Sequence, residues 1–477
     1  MAIPEITYTN HFGEFVIHNL AEIQSQSLLF ETQVSGSHAD QLGILQTLED
    51  GLPLLDGSTF SNDVHFRGAL QTPVQRWFPY REGFSIKLVN TFLNELGIRG
   101  PVFDPFAGSG TTLLASRTNN LAAIGMDVNP ISVLVAQVEN EQYDQTDLET
   151  LRTTMLQLDV LEPTIDLFHT PFELADKVFN AEILQTLLEL KRWINQIENF
   201  KIKNLFFVAW LAIIESVSNI KKEGNGIKYK NRKRTADGYI NVAKTVWESR
   251  VFPANKFDFV KNRLLEQLTA IKLDLESKYG RCVAKPMVFQ GDCLAFPNFF
   301  TDAIQLSFFS PPYCNCFDYF EIHKVDLWLG DFVSSREEFR KLRSMGFRSN
   351  TNAINHKPVQ YKNIQLEKLI ALFEPAKLWN EKIPIVVRGY FDDMRTLLAK
   401  LHRQTIRHGF VGIVIGNSAY SGVIIPTDSL TAQIAREVGF TVKNVFVTRH
   451  LTTSSQQKQE LEPLRYYLRE SILVLQK

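Results

Sequence analysis

The sequence predicts an α/β fold, a doubly wound and mostly parallel sheet interrupted by an inserted helical subdomain. Three observations predict it. Two strand–turn–helix units open in succession at Pro101 and Ala122, and consecutive βα units imply parallel pairing. Between about 140 and 280 the alternation stops and apolar residues recur at helical spacing. Short apolar runs bounded by turn residues then resume at 287–292 and 304–309.

Taken in order, residues 1–75 read as an N-terminal extension of irregular structure with short helices, its turns marked by Gly51-Leu52-Pro53 and Asp56-Gly57-Ser58. Residues 76–140 form the first half of the core. There Ile86 to Leu93 has helical spacing with Ser85 as N-cap. Pro101-Val102-Phe103-Asp104 is a strand whose glycine-rich loop opens onto a helix at 111–117. The strand at 122–127 ends on Asp127, and Pro130 suits the first turn of the next helix. The insertion, 141–280, carries helices at 180–198, 204–220 and 261–278 around a basic loop. The second half of the core, 281–477, adds strands at 287–292, 304–309, 412–416, 442–448 and 472–475.

A chain of 477 residues, 44% of them hydrophobic, suffices for one large domain with such an insertion. The net charge of −1 means that any nucleic-acid surface must come from local clustering. The four cysteines, Cys282, Cys293, Cys314 and Cys316, contain no Cys-x-x-Cys pair, so neither a disulfide framework nor a metal site is expected. No basic region leads into an apolar core at the N-terminus, and the apolar stretch 205–214 is too short to span a bilayer. A cytoplasmic protein without a membrane partner is the expectation.

Two loops carry the chemistry. Asp104-Pro105-Phe106-Ala107-Gly108-Ser109-Gly110-Thr111-Thr112 follows the first predicted strand. It has no Lys after the second glycine, unlike a P-loop, and lacks the third glycine of a dinucleotide fingerprint. Ser310-Pro311-Pro312-Tyr313 follows the strand at 304–309. Together they resemble the cofactor and catalytic motifs of the AdoMet-dependent DNA amino-methyltransferases, the Ser-Pro-Pro-Tyr form being most similar to the N4-cytosine branch. The resemblance covers 76–135 and 286–330 well and the last seventy residues more loosely. It implies a seven-stranded methyltransferase sheet, S-adenosyl-L-methionine (AdoMet) as cofactor and double-stranded DNA as substrate. It also implies a restriction-modification role beside a cognate restriction endonuclease, or host-genome marking. The cofactor loop precedes the tetrad, which excludes the permuted motif order.

On that reading Gly108 and Gly110 remove Cβ atoms that would obstruct a ligand, and the N–H groups before Thr111 face the methionine carboxylate. Asp127 is placed to accept the ribose hydroxyls, as in dinucleotide folds, the alternative being a cap on the next helix. The resemblance assigns Asp292 to the adenine amino group and Phe84 to an additional cofactor motif, with Asp104, Pro105 and Phe106 in the loop itself.

An exocyclic amine is a poor nucleophile because its lone pair is delocalised into the ring. Acceptors aimed at its N–H bonds, here the Ser310 hydroxyl and the Pro311 carbonyl, draw the nitrogen toward sp³ character. Pro311 and Pro312 restrict the backbone so that a carbonyl can point into a pocket, and Tyr313 offers a face to a base taken from its stack. A cytosine-C5 mechanism would need a thiolate after a proline, and no Pro-Cys dipeptide occurs. Adenine N6 remains the alternative target, as do an RNA or protein amine on the same fold and a silent nucleic-acid-binding module.

For DNA, the segment 221–234 holds seven basic residues, Lys221, Lys222, Lys228, Lys230, Arg232, Lys233 and Arg234, against one acid. It reads as a flexible loop tracking phosphates. A second candidate is 336–348, including Arg343.

Overall fold

The computed structural model describes residues 36–224, 226–235, 238–277, 284–296, 303–354, 357–452 and 458–477. In chain order its strands are β1 (Leu54–Asp56), β2 (Val102–Asp104), β3 (Ala123–Asp127), β4 (Ile220–Glu223), β5 (Gly226–Tyr229), β6 (Arg232–Thr235), β7 (Gly238–Asn241), β8 (Met287–Gln290), β9 (Ile304–Phe309), β10 (Thr405–Gly416), β11 (Ser418–Tyr420), β12 (Val423–Ile425), β13 (Thr441–His450) and β14 (Arg469–Gln476). Eight of these form one sheet, ordered β1-β13-β14-β10-β9-β2-β3-β8. Pairing is parallel throughout, except that β14 runs antiparallel to both β10 and β13. Val102, Phe103 and Asp104 are all buried, as a central strand covered on both faces requires.

The sheet has the architecture of a methyltransferase fold, with an eighth strand added at its edge. That strand, β1, comes from the segment read as irregular. Leu54-Leu55-Asp56 is too short to announce itself between two turns, and it forms because the edge of β13 supplies its ladder. The rest of the segment 36–75 holds the helix Gly36–Glu49 and short 3₁₀ turns, while residues 1–35 lie outside the described residues.

Local signals acted as the sequence predicts at two helix starts. The Ser85 hydroxyl accepts from the Leu88 N–H at the start of Ile86–Glu95. Asn129 accepts from the Ile131 N–H ahead of Pro130–Asn140. The three predicted helices of the insertion are Ala181–Asn195, Phe200–Ile213 and Lys256–Glu276; the second stops short of 220 because Ile220 begins β4. Their apolar faces, including Leu205, Trp210 and Leu264, share one core with Trp77, Phe78 and Leu327. Asp274 ties the last of these helices to the segment before the glycine-rich loop. It accepts from the Val74 N–H, the Arg76 guanidinium and the Trp77 indole, with Arg76 Nη2 at 2.5 Å.

The basic segment departs from expectation. It is not a flexible loop but two antiparallel hairpins, β4–β5 and β6–β7. In β4, Ile220 and Lys222 are buried while Lys221 and Glu223 are exposed, a period-two pattern hidden by the run of charge.

From β2 the chain passes to β3 and β8 on one side, then crosses to β9 and β10 on the other. The switch point therefore lies between β2 and β9, where open α/β sheets bind ligands outside the carboxyl ends of their strands. No helix among the described residues is long and apolar enough to cross a membrane.

Candidate active site

The loops leaving β2 and β9 open into one cavity of about 910 Å³, at the upper end of small-ligand pockets. Phe84, Asp104, Pro105, Phe106, Gly108, Thr111, Asp127 and Asp292 line it, and so do Ser310, Pro311, Pro312 and Tyr313. Two stretches about two hundred residues apart thus face one another because β2 and β9 are neighbours.

The two glycines serve different ends. Gly108 has φ +52°, and a Cβ there would lie 2.8 Å from the Tyr80 ring, so the loop presses against that ring at the cavity wall. Gly110, at φ +91°, does not line the cavity. A Cβ on it would meet Asn140 Nδ2 at 2.8 Å and Ala136 Cβ at 3.0 Å. Its glycine is required by packing against the helix Pro130–Asn140, which corrects the expectation of ligand clearance.

Asp127 lines the cavity and braces the backbone on both sides of it. Its Oδ2 accepts from the Gly108 N–H at 2.9 Å, bracing the loop, and its Oδ1 accepts from the Asn129 N–H at 2.8 Å. Asn129, not Asp127, caps the following helix. Burial pushes the Asp127 pKa up to about 6 and that of Asp104 up to about 7. Asp104 accepts from the Phe106 N–H at 2.9 Å and fixes the turn from behind. At the end of β8, Asp292 accepts from the Leu294 N–H at 2.8 Å, with Lys357 Nζ 3.9 Å away. Two carboxylates lining the cavity and a glycine-tight loop at a helix N-terminus fit the hydroxyls, amine and carboxylate of AdoMet.

The tetrad is held by groups to which its own sequence gives no clue. The Tyr313 hydroxyl donates to Glu470 Oε1 at 2.6 Å, and Glu470 also receives Arg449 Nε at 2.6 Å. The Tyr313 ring lies against Gly416, where a Cβ would come within 2.6 Å of it. Ser310 stands within hydrogen-bonding reach of the same phenol, whose pKa is raised by burial and by Glu470. Just beyond, the Cys314 carbonyl accepts from the Tyr420 hydroxyl at 2.8 Å and from Ser418. Residues 417–420 and 469–471, to which no chemistry attaches from sequence, thus set the position of Ser310–Tyr313. Cys314 and Cys316 do not line the cavity but lie in the apolar core behind it, and burial pushes their thiols up, away from the thiolate form.

Sequence reasoning also missed a buried charged cluster on the cavity wall. His323 stacks on Phe78 (centroids 6.2 Å apart) and Tyr80 (6.0 Å). Its Nδ1 lies 3.2 Å from Asp326 Oδ2, and its Nε2 faces Glu82 Oε2 at 3.9 Å. Burial favours the neutral ring, but Asp326 and Glu82 outweigh it and raise the His323 pKa. Against the effect of burial, His323 and Lys222 hold Glu82 and Asp326 below the usual carboxylate range. These residues come from three separate segments, so no local spacing could have joined them.

That cluster corrects the DNA assignments. Lys222 pairs with Asp326, their side chains 8% and 0% exposed, and cannot reach a phosphate. Lys230 donates to the Glu215 and Ser218 carbonyls at 2.6 and 2.9 Å. Arg343 is engaged by Asp318, and Arg348 is buried between Asp392 and Asp393. Lys221, Lys228, Arg232 and Lys233 remain exposed. Lys221 borders the cavity 2.9 Å from Glu223, and the Arg232 guanidinium lies 5.4 Å from the Tyr229 ring centroid. Arg234 takes its place in β6 opposite Tyr239.

No family model matches the chain. Among curated proteins it is 25% identical over 453 residues to the type II methyltransferase M.BsoBI of Geobacillus stearothermophilus, covering 87% of each chain. It is 26% identical over 413 residues to the type II methyltransferase M.AvaI of Nostoc sp., covering 80% of this chain and 82% of that one. With the type II methyltransferase M.MvaI of Kocuria varians it shares 22% over 354 residues, covering 70% and 74%. At 87% coverage the similarity cannot be confined to the sheet and takes in much of the helical insertion.

Proposed function

We propose that this relative of the type II methyltransferases is a DNA methyltransferase of a restriction-modification system. It methylates the exocyclic amine of a flipped base, cytosine N4 ahead of adenine N6. The observation that carries the reading is the shared cavity at the β2/β9 switch point, lined by the glycine loop on one side and Ser310–Tyr313 on the other. The curated relatives support methyl transfer, and Ser310 in the first tetrad position favours cytosine.

AdoMet, when bound, supplies an electrophilic methyl group. Asp127 and Asp292 would hold its ribose and adenine, and the loop from Pro105 to Thr111 its methionine end. Ser310 acts as an acceptor for the target amine. The Tyr313 hydroxyl spends its proton on Glu470, so its lone pairs can take the Ser310 proton. That leaves the Ser310 oxygen with lone pairs only, aimed at an N–H of the base. Tyr313 is held by Gly416 and Glu470 as a fixed aromatic wall, so a base stacked on it is oriented without further ordering cost. Lys221, Lys228, Arg232 and Lys233 contact phosphates, with the helical insertion as their support.

Single-turnover methylation of unmodified genomic DNA, followed by nucleoside mass analysis, tests this. N4-methylcytosine is expected and N6-methyladenine would shift the target within the same mechanism. 5-Methylcytosine, or transfer to RNA or protein alone, would overturn it.

A further inference from the structure

The two hairpins made from the basic segment are built differently. The first, β4–β5, is a strut: Lys222 is locked to Asp326, Lys230 to the Glu215 and Ser218 carbonyls, and Arg81 to the Lys222 carbonyl. In the second, β6–β7, the ties to the rest of the fold among the described residues lie at its base. There the Asn219 and Asn231 side chains bond each other at 2.9 Å, and Asn231 Nδ2 reaches the Val242 carbonyl at 2.8 Å. Asn231 and Val242 also pair through the backbone at 3.0 Å. Beyond that clamp every residue of β7 is exposed, with Tyr239 at 67% and Ile240 at 57%. An isolated two-stranded ribbon is marginal in water, yet this one presents two large apolar side chains from a firmly tied base.

We propose that β6–β7 enters the major groove of duplex DNA and reads base edges with Tyr239 and Ile240, making it a specificity-determining element of the enzyme. This rests on the DNA-methyltransferase reading above and deepens it. Dimensions and charge both favour the duplex as occupant. Four strand residues reach roughly 13 Å, against a groove about 8.5 Å deep and about 12 Å wide that admits a two-stranded ribbon. Between 224 and 236 the chain carries five basic residues and no acid. The register, Arg232 opposite Asn241 at the base and Thr235 opposite Gly238 at the tip, leaves Arg232 at the level of the phosphates when the tip reaches the groove floor. Tyr239 and Ile240 lie between and alternate in face, so one apolar group addresses each side of the groove, where thymine methyl groups are exposed. The strut carries the same chain to the cavity wall at Lys221 and Lys222, so base reading and base capture share one rigid support.

The test is methylation of a randomised duplex library, sequenced for modified sites, by the full-length protein and by Tyr239→Ser, Ile240→Ser and Lys233→Gln. Wild type should return one recognition motif. Each of the first two variants should relax one or two positions of that motif, lowering discrimination there by ~10-fold or more, with AdoMet affinity and melting temperature unchanged. Lys233→Gln should weaken all duplexes alike, with a salt slope smaller by about one. An unchanged motif in both serine variants overturns the proposal while leaving the methyltransferase reading intact. A wild-type protein that methylates no duplex overturns that reading, and this inference with it.

Discussion

Lys222→Met separates two accounts of the basic segment. Read from sequence, Lys222 is one of seven cations on a phosphate-tracking loop, and its loss should cost DNA affinity alone. In the structure its ammonium is buried against Asp326, in contact with the His323 and Glu82 cluster and 5.8 Å from the Phe78 ring centroid. Methionine keeps most of the stem and removes the charge. Breaking a buried pair by deleting one partner costs about 3–5 kcal/mol, because the remaining charge is left uncompensated. Here the cost should fall toward the lower end, about 3 kcal/mol, since His323 Nδ1 still faces Asp326. Thermal or urea unfolding should report a stability loss of that size, and the slope of log DNA affinity against log salt should not change. A phosphate contact predicts the opposite, unaltered stability and a slope smaller by about 0.9. That second result would refute the placement of Lys222 in the wall of the cavity.

Further outcomes rest on the same geometry. Gly108→Ala forces a side chain into left-handed backbone against the Tyr80 ring, and thermal or urea unfolding should show stability lowered by at least the ~1–2 kcal/mol of backbone strain. Asp127 has a folded pKa of about 6 against an unpaired value of 3.8. In the ligand-free protein its stabilising contribution is therefore present below about pH 4 and lost as pH rises through about 6. Ribose hydroxyls need the carboxylate, so AdoMet affinity should rise with pH through about 6, and Asp127→Asn should abolish that step. Ser310→Ala should slow the chemical step by roughly 10²-fold, the scale of losing one preorganised hydrogen bond at a reacting centre, with DNA affinity little changed. Glu470→Gln should also act on the chemical step and not on DNA affinity, and Tyr313→Ala should reduce both, by about 1–3 kcal/mol in base stacking.

The class of fold and the two loops that meet in the cavity were legible in the sequence because each is a local pattern. Val102-Phe103-Asp104 and Ile304–Phe309 are short apolar runs ending at turn residues, and burial on both faces demands that composition. Ser85 and Pro130 mark helix starts through interactions spanning only a few residues. What surrounds the tetrad was decided by tertiary structure. Glu470 reaches Tyr313 only because β14 lies beside β10, and Gly416 is needed only because that ring lies on β10. The charge run at 221–234 shows the limit most clearly. Its composition announces solvent exposure and cannot say which cations turn inward. Strand pairing decides that, since alternation sends Lys222 to Asp326 and leaves Lys221 outside. Burying an ammonium is affordable only where a carboxylate waits for it, and that carboxylate lies more than a hundred residues along the chain.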